Sequence, residues 1–180
     1  MEKNRLGMAI FLGSEAVFFI LLILGYLNFR SASNPVAIQH LEPPITAIFT
    51  ASLLGSSLTL WQAERNFRSH KASAPTWLLI TLALGAIFLI GQGIEYLKLF
   101  QENITPAQGL FGTTFFTLTG LHGLHVLSGL VILSILSWLA LKGFFRNRQP
   151  TAVETFALYW HFVDGVWIVI FTIVYLGTLV

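Results

Sequence analysis

An all-α integral membrane bundle of five transmembrane helices is the fold class this chain predicts, and three observations predict it. Hydrophobic residues make up 55% of the 180 residues and charged ones only 10%, against roughly 45–50% and 25% in ordinary soluble domains. The mean hydropathy is +0.75. Five apolar runs are each close to, or longer than, the about 20 residues that a helix rising ~1.5 Å per residue needs to cross a ~30 Å hydrocarbon core. They fall at about 6–29, 44–62, 75–100, 111–141 and 153–180, within a single membrane domain covering 1–180.

Each span has a local cause for its ends. Lys3 and Arg5 precede the first run, which gives it the look of a signal peptide. Its apolar stretch is too long for an h-region, contains Glu15 and is followed by no small-x-small cleavage site, so it is read as retained. Asn34-Pro35 and Pro43-Pro44 break the chain before the second span. Pro75, Pro106 and Pro150 lie at or before later helix starts, where a missing N–H costs nothing. The connections are short, which makes neighbouring helices antiparallel. No internal repeat or low-complexity tract is present.

Composition also removes whole classes of function. A formal net charge of +2 is too small for a nucleic-acid binder. The chain has no cysteine, which excludes disulfides, covalent haem attachment through CxxCH, thiolate iron–sulfur clusters and a thiolate-bridged copper centre. Any redox chemistry would rest on histidine.

Five spans put the two ends of the chain on opposite sides. Lys3, Arg5, Arg65, Arg68, Lys71, Lys142, Arg146 and Arg148 then share one side, and only Arg30 and Lys98 lie on the other, 8 against 2 of the 10 basic residues. The positive-inside rule places the N-terminus inside and the C-terminus outside.

Polar residues within the spans are the candidate site. Glu15 is ten residues past Arg5, while His161 and Asp164 are seven and ten past Glu154, so these three are expected at one depth, with scope for a shared pocket. Glu95 lies near the outer end of the third span, and His122 and His125 begin eleven residues from the outer end of the fourth. This predicts two polar layers. Two readings of Glu15 stand side by side: a neutral carboxylic acid hydrogen-bonded within the bundle, because burial disfavours the charged form, and a site that holds or passes a proton. For His122 and His125, spaced i, i+3 on one helix face, the readings are interhelical hydrogen bonding, metal or haem ligation, or a proton or lipid role. No Glu-x-x-His pair suited to a di-iron centre occurs, and the histidines lie at unmatched depths for one haem. The expectation is that the chain binds no metal and carries no catalytic residue. His40 and His70 are read as solvated loop residues.

Small residues are read as helix-packing positions: Gly55 within an Ala51, Gly55, Thr59 stripe, Gly85 with Gly91 and Gly93, and Gly120 with Gly123 and Gly129. Phe156, Tyr159, Trp160, Phe162 and Trp167 are expected at the membrane interface or on a partner surface.

Four stretches carry a resemblance. Phe11-Leu12-Gly13-Ser14-Glu15-Ala16-Val17-Phe18-Phe19 comes first, then Gly93-Ile94-Glu95-Tyr96. Gly112-Thr113-Thr114-Phe115-Phe116 follows, running into Thr119-Gly120-Leu121-His122-Gly123-Leu124-His125-Val126, and last Tyr159-Trp160-His161-Phe162-Val163-Asp164 with Trp167. In this order they resemble subunit III of the haem-copper terminal oxidases across nearly the whole chain. The resemblance implies a non-catalytic subunit of a respiratory oxidase that reduces oxygen to water and pumps protons. Such a subunit packs directly against the catalytic oxidase subunit I, which holds the haems and copper, beside other oxidase subunits and membrane lipids. It helps maintain proton uptake, protects the catalytic subunit during turnover and holds phospholipid in a cleft between helix groups. Glu15 and Glu95 would be the family's buried acids, and His122, His125, His161 and Asp164 its other buried polar positions. The implied location is a multi-pass protein of a respiratory membrane, read here as a bacterial plasma membrane. The longer family form has seven helices and this chain matches from the third, which puts the lipid cleft in question. A subunit-III-like accessory protein of nitric oxide reductases is the nearest alternative. A stand-alone membrane enzyme or transporter using Glu15, His122 and His125 is the alternative from another class.

Overall fold

In the computed structural model the described residues are 2–30, 43–107, 109–145 and 151–178, with side chains described at all of these except 2–5, 30, 43, 111 and 178. His40, Asn34-Pro35, Arg146, Arg148 and Pro150 fall outside them. The elements are α1 (Glu2–Arg30), α2 (Pro43–Arg68), α3 (Ala74–Gln101), α4 (Gly109–Leu141) and α5 (Thr151–Val174), followed by a 3-10 turn at Leu176–Thr178. All five α-helices are long and apolar enough to cross a membrane, and there is no strand among the described residues.

Helix α2 extends to Arg68, beyond the predicted end at 62. The polar sequence there hides an inward face, because Ala63, Asn66 and Phe67 are buried. Three helices end in the same way. After α2, the N–H of His70 bonds Phe67 O and that of Lys71 bonds Asn66 O, with His70 at φ 51°. After α3 the equivalent pair is Asn103 to Phe100 O and Ile104 to Leu99 O, with Asn103 at φ 59°. After α4 it is Gly143 to Ala140 O and Phe144 to Leu139 O, with Gly143 at φ 75°. Each left-handed residue turns the chain back so that the last carbonyls find donors, which a helix ending near hydrocarbon requires.

Contacts between helices fix their directions. Thr50–Trp167, Ser56–Trp160 and Arg68–Glu154 tie α2 to α5 with numbers rising on one as they fall on the other, so the two are antiparallel. The same holds for α2 with α3 (Thr46–Glu95, Thr59–Thr81, Asn66–Ser73) and for α1 with α4 (Glu15–His125, Phe19–His122). Tyr96–Thr119 and the approach of Gly85 to Leu130 order α3 against α4 likewise. Helices α2 and α3 form the most extensive pair; α4 joins α3 to α1, and α5 lies against α4, α1 and α2. Helix α1 is therefore a flank, and Ile10, Val17, Ile20, Leu21 and Leu24 on it are exposed.

The aromatics of α5 depart from expectation. Phe156, Tyr159, Trp160 and Trp167 are buried in the bundle rather than spread along an interface. A buried indole needs an acceptor for its N–H, and α2 supplies two: Trp160 Nε1 donates to Ser56 Oγ at 2.9 Å and Trp167 Nε1 to Thr50 Oγ1 at 3.0 Å. Small residues make room for these rings. A Cβ on Gly85 would lie 2.9 Å from both Leu130 Cδ2 and Trp160 Cζ2, and one on Gly91 would overlap the Phe49 ring. Gly55, Gly120 and Gly123 do not share this role, because a Cβ at those positions would meet Leu84, Tyr96 or Leu89 only at 3.7, 3.5 and 4.0 Å, ordinary contact distances.

Candidate functional site

The six predicted polar site residues fall into three separate clusters and one isolated histidine. The first joins α1, α4 and α5. Glu15 Oε2 lies 3.1 Å from His125 Nε2, and both side chains are about one-fifth exposed, at 20% and 19%. His125 Nδ1 is 2.8 Å from Leu121 O. A carbonyl only accepts, so Nδ1 carries a proton. The contact at Nε2 then has two forms: a carboxylic acid donating to the imidazole lone pair, or an imidazolium donating to a carboxylate. Either way the pair shares one proton. Tyr159 O–H donates to the His125 backbone carbonyl at 2.8 Å, and Phe19 meets the His125 ring edge-on at 5.1 Å. Beside the pair, Met8, Phe11, Ser128, Thr155 and Tyr159 help to line a groove of about 600 Å³.

This pairing corrects the two-layer expectation. His125 is the central residue of the 33-residue α4 and so meets Glu15 at mid-depth. Glu15 does not share a pocket with His161 and Asp164. It faces α4, whereas those two turn to α2, where Ser57 Oγ lies 2.8 Å from His161 Nδ1 and donates a short hydrogen bond to Asp164 Oδ2. Sequence spacing does not encode which neighbouring helix a side chain faces.

The third cluster is at the far end of α3. Glu95 Oε2 accepts from Tyr175 O–H at 2.8 Å and Gln92 Nε2 at 3.1 Å, while Oε1 accepts from Thr46 Oγ1 at 3.3 Å. One carboxylate thus ties α2 and α3 to the segment after α5. Sequence reading missed its partners, together with Ser57, Ser56 and Thr50. Their signal is the run of hydroxyls Thr46, Thr50, Ser56, Ser57 and Thr59 on an apolar helix, of which the sequence reading singles out only Thr59, in the small-residue stripe.

His122 belongs to none of these clusters. It is 1% exposed, stacks on Trp167 with ring centroids 4.8 Å apart, and meets Phe88 and Phe19 edge-on at 6.1 and 6.3 Å. Neither ring nitrogen has a hydrogen-bond partner among the described residues. The ring packs as an aromatic, so His122→Phe is expected to leave thermal stability in detergent unchanged or raised, since it removes two buried nitrogens that gain nothing. A loss of more than about 2 kcal/mol would show that His122 has a polar role.

No group of three or more His, Cys, Asp or Glu side chains that could hold a metal ion occurs among the described residues. Two nitrogens facing aromatic rings and a histidine committed to a carboxylate do not make a ligand set. At the end where α1 starts, Arg65 lies over Trp61 at 5.8 Å and Lys142 over Trp138 at 5.9 Å. Arg68 there bonds Glu154 at 3.1 Å, but at 58% exposure this ion pair contributes little.

These features define a class: a multi-pass membrane protein in which buried acids are engaged in tying helices together. The profile of "Cytochrome c oxidase subunit III" matches residues 1–178. The chain belongs to the cytochrome c oxidase subunit III family. It is 37% identical over 180 residues to cytochrome c oxidase subunit 3 of Synechocystis, covering 97% of this chain and 76% of that one. It is 34% identical over 178 residues to the subunit 3 of Corynebacterium diphtheriae, covering 94% and 85%. With cytochrome bo(3) ubiquinol oxidase subunit 3 of Buchnera aphidicola it shares 35% over 182 residues, covering 98% and 96%. The resemblance read from the four stretches is thereby established, and with it a respiratory haem-copper oxidase subunit of multi-pass bacterial membrane type.

Proposed function

We propose that this chain is the non-catalytic third subunit that packs directly against the catalytic subunit of a haem-copper oxidase, with its N-terminus on the inner side. It supports the stability and proton uptake of that subunit. The observation that carries the reading is the family match along 1–178. The geometry agrees with it, since Glu15, Glu95 and Asp164 are each engaged by side chains from other helices or segments of the same chain. Haem and copper belong to the catalytic partner. Relatives named for cytochrome c and for ubiquinol match at similar identity, so the reading does not depend on the electron donor. Within the bundle, Glu15 with His125 is the place where a proton is held, and Glu95, His161 and Asp164 anchor helices. The groove beside His125 fits a phospholipid acyl chain.

Orientation rests on the 8 to 2 basic asymmetry. A reporter fused at the C-terminus is expected outside and one inserted near Ser69–Lys71 inside. The opposite labelling would reverse the orientation. In function, the oxidase without this chain is expected to keep its initial oxygen reduction and lose it faster over successive turnovers; an unaltered decay would remove the supporting role.

A further inference from the structure

The end of the bundle where α2 and α4 stop and α3 starts holds a hollow of about 370 Å³. Phe67, Pro75, Ala140 and Phe145 line it with apolar surface, and His70 and Lys71, both exposed, stand at its rim. It lies among α2, α3 and α4, apart from the groove beside His125, which α1, α4 and α5 form. The turns that close two helices make it. With His70 at φ 51° and Gly143 at φ 75°, the chain doubles back over the last turn of α2 and of α4, and the gap between the two turns stays open. Phe67 and Phe145 are buried and meet edge-on at 5.6 Å behind it.

This apolar wall faces positive charge that the described chain does not neutralise. Glu64 and Glu154 are the acidic side chains described at this end, and both lie on Arg68, at 3.8 and 3.1 Å. Among the described residues neither the Lys71 ammonium nor the His70 ring has an ion pair or a hydrogen bond. Helix α3 adds to the field. Its first turn, from which Pro75 lines the hollow, holds no acidic residue, and Ser73 makes no capping bond, its Oγ accepting instead from Asn66 Nδ2 at 3.1 Å. The positive end of that helix dipole is thus uncompensated. A negative group on an apolar body is the complement. Inorganic phosphate would meet the charge but fill only part of a space within the about 300–1,000 Å³ of ligand pockets, leaving the phenyl walls against water. A neutral lipid would fill the space and leave Lys71 unmet.

We propose that this hollow is a binding site for an anionic phospholipid, with Lys71 and the His70 ring N–H at the phosphate and the upper part of the chains against Phe67, Ala140 and Phe145. Basic pockets between transmembrane helices at the membrane boundary take anionic headgroups by this combination of charge and depth. The site rests on the chain's place in a membrane and not on the identity of its partner subunits.

The test uses the complex captured through a tag on this chain, exchanged into detergent and titrated with phosphatidylglycerol, phosphatidylcholine or inorganic phosphate, with bound lipid counted by native mass spectrometry. One phosphatidylglycerol per complex is expected to bind about fivefold more weakly in Lys71→Gln, the effect of one basic residue at an anionic headgroup, and normally in Lys71→Arg. Arg65→Gln removes the same charge from the same end, outside the hollow, and should bind as the unaltered chain does. Ala72→Phe, at an exposed residue of the lining, should block the site without changing any charge. Both Lys71 and Ala72 are exposed, so the thermal transition of these variants should be unchanged. Equal weakening by Lys71→Gln and Arg65→Gln would mean general attraction to a positive surface and would overturn the site, as would unchanged binding in both Lys71→Gln and Ala72→Phe. Phosphatidylcholine bound as tightly as phosphatidylglycerol would overturn the selectivity for an anion. Displacement of the lipid by an equimolar amount of inorganic phosphate would make this a site for a soluble anion and overturn the lipid assignment.

Discussion

Gly129→Val is expected to prevent the bundle from closing, with the isolated chain in detergent losing its cooperative thermal transition. Even a Cβ at this position would lie 2.5 Å from Trp160 Cζ3 and 2.8 Å from Cε3, with Tyr159 Cε1 at 3.3 Å. The ring cannot swing aside cheaply. Trp160 is fully buried and its Nε1 is held by Ser56 Oγ at 2.9 Å. Overpacking a tight core by single methyl groups costs about 1–3 kcal/mol, against the ~1 kcal/mol that alanine gains over glycine in a helix. Gly129→Ala should therefore be moderately destabilised, and valine much more so. Gly13→Ala is the control, since among the described residues nothing beyond its own helix backbone lies within 4 Å of where its Cβ would be, and it should be neutral or stabilising. Equal stability of Gly13→Ala and Gly129→Ala, followed by tryptophan fluorescence on heating, would show that Trp160 does not sit against α4 as described.

The second large effect is expected at Glu15 and His125. Glu15→Ala leaves His125 Nε2 without its partner in a mostly buried setting, a cost of about 1–3 kcal/mol. Glu15→Gln can donate its amide N–H to the imidazole lone pair and should preserve assembly. If the pair also holds a functional proton, Glu15→Gln should slow turnover increasingly as pH rises, where retaining a proton matters most. The paired change Glu15→Leu with His125→Leu should destabilise less than the sum of the single changes, because it leaves no orphan. Additive losses in the double-mutant cycle would mean the two groups do not interact, and identical, wild-type-like assembly and pH–rate profiles for Glu15→Ala and Glu15→Gln would remove both roles.

What was legible in the sequence follows from what one dimension encodes. Length and hydropathy predicted the number of helices, because a bilayer fixes the minimum span. Proline marked helix starts at Pro43 and Pro75. The ends were harder: glycine at 143 is a recognised stop, but Asn103 is a weaker signal and His70 none, since the left-handed turn there is imposed by the chain around it. The site showed the same division. Counting residues along the helices puts Glu15, His161 and Asp164 at one depth, yet only the three-dimensional packing shows Glu15 paired on α4 and His161 and Asp164 paired on α2. His125 was displaced to an outer layer because its depth was counted from the end of a helix longer than the span it crosses. Trp160 and Trp167 looked interfacial by type, and are buried because Ser56 and Thr50 satisfy their N–H groups.

The central claim is that this chain works only as part of a larger oxygen-reducing assembly. Affinity capture of the chain from solubilised native membranes, with an absorption spectrum and oxygen consumption recorded on the captured material, tests it most directly. The account predicts a larger subunit carrying haem, oxygen reduction in the eluate, and no haem remaining with this chain once the subunits are separated. Captured material that reduces nitric oxide and not oxygen, or haem in about equimolar amount on the separated chain, would contradict it.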